Sequence, residues 1–138
     1  MQLTKTDFIQ YLNCPESLWL YKNKPEEYVL GEFSLFLEKL IKEGYEVEAY
    51  AKELFPEILD LSEGQSALYT IGMLETSHKL FFQPTFSIKK GAFAIIDVLE
   101  RLDDGSFHLY EIKSTTKIKK DKKHNHLNDV CFQKYVIQ

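Results

Sequence analysis

An aspartate, a glutamate and a lysine stand where one short hairpin would bring them onto a single face. Asp97 lies in the run 92–102, and Glu111 and Lys113 lie in the run 107–114. Both runs are rich in β-branched and aromatic residues, as strands are. Between them, Leu102-Asp103-Asp104-Gly105-Ser106 holds a three-residue loop that suits a type I turn closed by a left-handed glycine. Leu102 then faces Ser106, and paired residue numbers sum to 208. On that register Asp97 lies opposite Glu111, with Cβ atoms about 4.5–5.5 Å apart. Alternation along the strand keeps Lys113 on the same face as Glu111.

Two carboxylates so close repel each other, and burial sharpens the conflict. Phe93 and Ile95 precede Asp97 on its face, and Phe107 and Leu109 precede Glu111. Both acids are therefore expected at the end of an apolar, helix-covered sheet face. A divalent cation with oxygen ligands would resolve the repulsion. Lys113 would resolve part of it alone, as a structural Asp–Lys–Glu cluster. Spacing leaves both readings open.

The elements that must position this patch can be read from periodicity. A helix is expected to start with Thr6 or Asp7 as its N-cap and to end at Cys14-Pro15, with a second short helix over 16–21 and a loop from Lys22. The longest helix is expected over 32–54. There Phe33, Phe36, Leu37, Leu40, Ile41, Gly44, Val47, Ala51 and Leu54 keep the spacing of one buried face. It is expected to cover the sheet face of Asp97 and Glu111, with Gly44 marking a close approach and Glu48 aimed at the carboxylates. A further helix is expected over 63–77, a strand over 80–88, and a last helix over 126–138 with Leu127, Val130, Cys131 and Tyr135 on its apolar side. The fold class is α/β (α+β), a mixed central sheet flanked by helices. The 138 residues make one domain, with an N-terminal helical segment at 1–25 and a core at 32–138. The chain stops inside its last helix without a capping signal, so it is expected to be C-terminally truncated and part of a larger protein or complex.

Composition narrows the function classes. No apolar run approaches the roughly 18–20 residues that span a membrane, and the first residues do not form a signal peptide. A cytoplasmic location is expected. Cys14 and Cys131 give neither a disulfide framework nor a metal knuckle. The net charge is −4, but it is unevenly spread. Residues 26–63 carry eleven acids against three lysines, whereas 113–123 carry six lysines against one aspartate. Either run alone reads equally well as a solvated face.

The string Asp97 … Glu111-Ile112-Lys113 resembles the motif of the PD-(D/E)XK nuclease superfamily, an acid on one strand and Glu-x-Lys on the next. Further segments resemble its RecB-like exonuclease branch: Thr4-Lys5-Thr6-Asp7 … Cys14-Pro15 … Trp19-Leu20-Tyr21 at the start, Gly44-Tyr45-Glu46-Val47-Glu48 in the long helix, Glu111 to Ser114, and Asp129 to Gln133 near the end. The ordered set spans nearly the whole chain and is similar to uncharacterised bacterial RecB-like proteins. Glu48 stands where many relatives have histidine. The tyrosine usual four residues after the glutamine is replaced by Ile137, with Tyr135 two residues on.

The resemblance implies a restriction-endonuclease-like core and hydrolysis of DNA phosphodiester bonds, exonuclease-like, in repair, recombination or defence. It implies Mg²⁺ or Mn²⁺ held by Asp97, Glu111, the Ile112 carbonyl and Glu48. Lys113 would orient or deprotonate a water and stabilise charge on phosphorus, and Gln133 would orient substrate or water. Lys117, Lys119, Lys120, Lys122 and Lys123 would hold the phosphate backbone, with Tyr135 beside them. Some relatives carry an iron–sulfur cluster on four cysteines. This chain lacks three of them, so no cluster is expected and Cys14 reads as a small core residue. DNA is the expected partner, with RNA open. Two alternatives remain: a catalytically inactive nucleic-acid-binding module of the same fold, and a protein-interaction domain in which the three residues are a structural ion-pair cluster.

Overall fold

The computed structural model describes residues 2–29, 31, 34–64, 66–89, 91–121 and 125–138. Glu32 and Phe33 of the expected long helix, Gln65, and Lys122 and Lys123 of the lysine run lie outside them.

The first helix, α1 (Lys5–Asn13), starts earlier than expected. Thr4 is its N-cap: the Thr4 hydroxyl accepts from the Asp7 N–H at 3.2 Å, and the Asp7 carboxylate accepts from the Thr4 N–H at 2.8 Å. This reciprocal pair satisfies two orphan donors at the helix start. Cys14 breaks the helix, and Pro15 opens α2 (Pro15–Asn23), which runs on through the expected loop start. Buried Asp7 pairs with Lys22 at 2.8 Å and ties α1 to α2. Cys14 is exposed, contrary to expectation, because the extended backbone between the helices points its thiol toward Glu16.

The long helix, α3 (Leu35–Glu53), is capped by Ser34, whose hydroxyl accepts from the Leu37 N–H at 3.2 Å. It does not pack as expected. None of its residues is buried, Leu35 is 84% exposed, and a Cβ on Gly44 would meet nothing within 4 Å. The sheet's apolar positions are covered by other elements, which leaves α3 held by polar contacts along its second half. The Gln83 amide donates to Glu48, and Lys52 pairs with Asp60 and lies over the Phe82 ring.

The strands are shorter and more numerous than the sequence suggests. After β1 (Leu59–Asp60), which was not anticipated, comes α4 (Ala67–Leu74), capped by Ser66. The expected strand 80–88 is two, β2 (Leu80–Phe82) and β3 (Thr85–Ser87). The expected strand 92–102 is also two, β4 (Phe93–Ile95) and β5 (Val98–Arg101). The paired numbers sum to 180 in both β2–β5 and β3–β4, so the four form one antiparallel pair bent in the middle. The bend has a local cause. Pro84 has no N–H to give the ladder, and Gln83 takes φ 51°. Strand β6 (Phe107–Tyr110) completes a mixed four-stranded sheet in the order β1-β2-β5-β6, with β1 parallel to β2. Strands β3 and β4 form a separate two-stranded ribbon.

The last helix, α5 (His126–Ile137), is capped by Asn125. Its buried face is Phe132, Gln133 and Val136, while Leu127, Cys131 and Tyr135 are exposed. The expected face was therefore rotated. Phe132 and Val136, one turn apart, fill the space over Ala92, Ala94, Ile96 and Leu99, and Phe8 of α1 stacks on Phe132 at 5.3 Å. The deepest ribbon positions are thus Ala92, Ala94 and Ile96, and not the face of Phe93 and Ile95 as expected. The chain is mixed α and β, with five helices among the described residues. No helix among them is long and apolar enough to cross a membrane.

Candidate active site

The hairpin that leads to Asp97 and Glu111 has the expected register. Val98, Leu99, Glu100 and Arg101 pair with Tyr110, Leu109, His108 and Phe107, each pair summing to 208. The turn is closed by Gly105 at φ 81°, with the Leu102 N–H donating to the Ser106 carbonyl at 2.8 Å. Asp97 and Glu111 lie one step beyond the ladder's last pair, at the bend where the sheet and the ribbon diverge. There the pairing changes character. The Asp97 carboxylate accepts the Ile112 N–H at 2.7 Å, which ends β6 before the expected residue 114.

Glu111 is the hub. Its side chain is 5% exposed, and Oε1 receives two ammoniums, Lys5 at 2.7 Å and Lys113 at 2.6 Å. Its Oε2 accepts from the Gln133 amide at 2.5 Å. Lys113 also reaches Asp129 at 2.8 Å. Asp129 and Gln133 stand one turn apart on α5, so a single helix face grips both ends of the Glu-x-Lys segment. Gln133 is fully buried, and its Oε1 has no hydrogen-bond partner among the described residues. Lys5 arrives because the segment before α1 pairs with the ribbon: the Leu3 N–H donates to the Gly91 carbonyl at 2.6 Å, and the Phe93 N–H donates to the Leu3 carbonyl at 2.8 Å.

The charges on this cluster are unequally compensated. Burial above all pushes the Asp97 carboxyl up to about 6, the Glu111 charge adds to the push, and Glu48 adds a smaller one. The Ile112 N–H and the Lys5 charge oppose them. Burial also pushes Glu111 upward, but Lys5 and Lys113 outweigh it and hold Glu111 below its ordinary value. Burial would lower Lys113, yet Asp129 and Glu111 hold it above the ordinary lysine range, so it keeps its proton. Among the described residues Asp97 has no ion-pair partner.

Glu48 is half-buried and held by Gln83 at 3.1 Å, close enough for its charge to reach Asp97. Among the described residues no three acidic, histidine or cysteine side chains stand together as a ready metal cluster. The fit to a hard cation rests on the Asp97 and Glu111 carboxylates, oxygen donors of the kind Mg²⁺ and Mn²⁺ take. Asp97, without an ion-pair partner among the described residues, and the unpartnered Gln133 Oε1 support that fit.

Two open grooves flank the cluster. One, of about 450 Å³, is lined by Glu111, Lys113, Thr115, Lys117 and His126. The other, of about 500 Å³, is lined by Lys5, Thr6, Gln10, Asn13, Ser17 and Asp129. Lys117, Lys119 and Lys120 are exposed on the loop after Lys113. That loop folds back onto the start of α5, where the His126 N–H donates to the Lys119 carbonyl at 3.0 Å. Tyr135 is 54% exposed and projects from the opposite face of α5 to Gln133, away from the cluster.

Of the expected site residues Glu48, Asp97, Glu111, Ile112, Lys113 and Gln133, the last five are joined by hydrogen bonds or ion pairs around Asp97 and Glu111, while Glu48 is held by Gln83. Sequence reasoning gave no role to Lys5 or Asp129. Asp129 carried a signal, its one-turn spacing from Gln133. Compared with known protein families, curated proteins and solved structures, the chain finds no match.

Proposed function

We propose that the chain is a metal-dependent nuclease of the PD-(D/E)XK type, RecB-like branch, which hydrolyses phosphodiester bonds of DNA. On this reading the bent sheet with α1, α3 and α5 is a restriction-endonuclease-like core. One observation carries the proposal. Asp97 is a half-buried carboxylate that accepts the Ile112 N–H at 2.7 Å, has no ion-pair partner among the described residues, and stands across the strand register from Glu111, onto which Lys5, Lys113 and Gln133 converge.

Asp97, Glu111, the Ile112 carbonyl and Glu48 would hold Mg²⁺ or Mn²⁺. Such an ion supplies polarisation of a phosphoryl oxygen and a water acidic enough to attack at neutral pH. Lys113, clamped between Glu111 and Asp129, holds its proton and offers a fixed positive charge where negative charge grows on phosphorus. It would act there as an electrostatic stabiliser. Gln133 fixes the Glu111 carboxylate, and its buried, unpartnered Oε1 would hold a buried water beside it and not a substrate hydroxyl. Lys117, Lys119 and Lys120, with Lys122 and Lys123, hold the phosphate backbone without reading sequence. Tyr135 serves only a path that runs past the far face of α5. DNA is the proposed partner and the cytoplasm the proposed location.

The test is cleavage of end-labelled single-stranded and duplex DNA with Mg²⁺ or Mn²⁺. Activity should be lost in EDTA, in Asp97→Asn and in Glu111→Gln. Cleavage that survives both substitutions contradicts the assignment. A second reading is favoured by the two lysines already on Glu111, which neutralise it as a structural ion-pair cluster would. That reading expects no response to divalent metal. DNA binding without metal dependence would instead mark an inactive binding module.

A further inference from the structure

Lys5 and Lys113 reach the same oxygen of Glu111, but their situations differ. Lys113 has a second carboxylate, Asp129, at 2.8 Å. Among the described residues Glu111 is the one acid within ion-pair distance of Lys5. Lys5 is also 29% exposed and opens onto the groove lined by Thr6, Gln10, Asn13 and Ser17, whose one acid, Asp129, is already paired with Lys113. It stands on α1 and lines a different groove from Lys117.

A divalent cation on Glu111 would face two ammoniums at contact distance, and like charges so close cannot all stay. Lys113 keeps Asp129 when Glu111 is taken. Lys5 loses its one ion-pair partner among the described residues, and a flexible ammonium stem at an open groove can swing out. We propose that Lys5 is a phosphate-binding residue held in store: it neutralises Glu111 without metal, and passes to a substrate phosphodiester when a divalent cation takes Glu111. The inference rests on the metal-site reading above and assigns that site a phosphate ligand on its α1 side. Metal loading and nucleic-acid binding become coupled, because the ion that occupies Glu111 releases the cation that grips the substrate.

The experiment compares wild type, Lys5→Ala and Lys5→Arg for binding a fluorescent DNA oligonucleotide in Ca²⁺, an ion chosen to limit cleavage, and in EDTA. In Ca²⁺, Lys5→Ala should weaken binding about 5- to 10-fold and reduce the log–log salt slope by about 0.7–0.9, one phosphate contact. Lys5→Arg should restore most of both. In EDTA, Lys5→Ala should leave binding within about twofold of wild type, because Lys5 is then engaged by Glu111. Calorimetry without DNA should show tighter Mn²⁺ binding to Lys5→Ala, since a competing cation is gone. An equal loss in Ca²⁺ and EDTA, or an unchanged slope in Ca²⁺, overturns the proposal while leaving the metal site standing. A wild type that binds no Mn²⁺ overturns the metal site and this inference together.

Discussion

Removing the charge of Asp97 should stabilise the metal-free protein, although Asp97 sits at the centre of the proposed site. In the folded state its carboxyl is raised from 3.8 to about 6, by burial first and by Glu111 next. A shift of that size corresponds to about 3 kcal/mol. The sign follows from linkage. Below 3.8 the group is protonated whether folded or not, and nothing is lost. Between 3.8 and about 6 the unfolded chain ionises this carboxyl while the folded protein keeps it protonated, so stability falls across that window and levels off above it. Asn keeps the acceptor for the Ile112 N–H and carries no charge. Solvent at this half-buried position and relaxation of Glu111 reduce the gain, so Asp97→Asn should add about 1–3 kcal/mol at pH 8 and near zero at pH 4. Urea denaturation in EDTA, followed by far-ultraviolet circular dichroism at both pH values, measures it. Adding Mg²⁺ should then stabilise wild type and not the variant. A variant less stable than wild type at pH 8, or a gain equal at both pH values, refutes the reasoning: the first means Asp97 is compensated, the second that the effect is packing.

Three further outcomes follow from particular contacts. Lys113→Ala removes a cation from two carboxylates and should cost about 1–3 kcal/mol in denaturant unfolding, while Mn²⁺ affinity by calorimetry persists or rises; lost metal binding would contradict its placement beside the ion. Replacing Lys117, Lys119 and Lys120 with alanine should lower the salt slope of DNA binding by about 0.7–0.9 for each lysine that contacts phosphate, and an unchanged slope would mean the run is a solvated loop. Gly44→Ala should raise thermal stability by about 1 kcal/mol, the helix-propensity difference, because nothing lies within 4 Å of the added methyl; destabilisation would mean that α3 packs closely there.

What could be read in the sequence was mostly local. The turn at Asp103-Asp104-Gly105 set the register that brings Asp97 and Glu111 together, since a three-residue loop with a left-handed glycine allows little else. Asp129 and Gln133 were legible as a one-turn pair. The bend at Gln83-Pro84 was legible too, because a proline inside a strand-like run argues against one continuous strand, but the aromatic run around it masked that signal. Periodicity found the apolar stripe of α3 and could not say what would cover it; the sheet took Phe132, Val136 and Phe8 instead. The same limit misassigned the buried face of α5, where Leu127 and Tyr135 competed with Phe132 and Val136 at similar spacing. Lys5 meets Glu111 across 106 residues, a contact with no local signature.

The central claim is that Asp97 and Glu111 share a divalent cation. A Mn²⁺ titration followed by amide NMR tests it most directly, because paramagnetic broadening reports distance from the ion. The account predicts broadening centred on Asp97 and on Glu111, Ile112 and Lys113, reaching Glu48 and Gln133, and abolished in both Asp97→Asn and Glu111→Gln. Broadening confined to the acidic surface of α3, or unchanged by both substitutions, would contradict it.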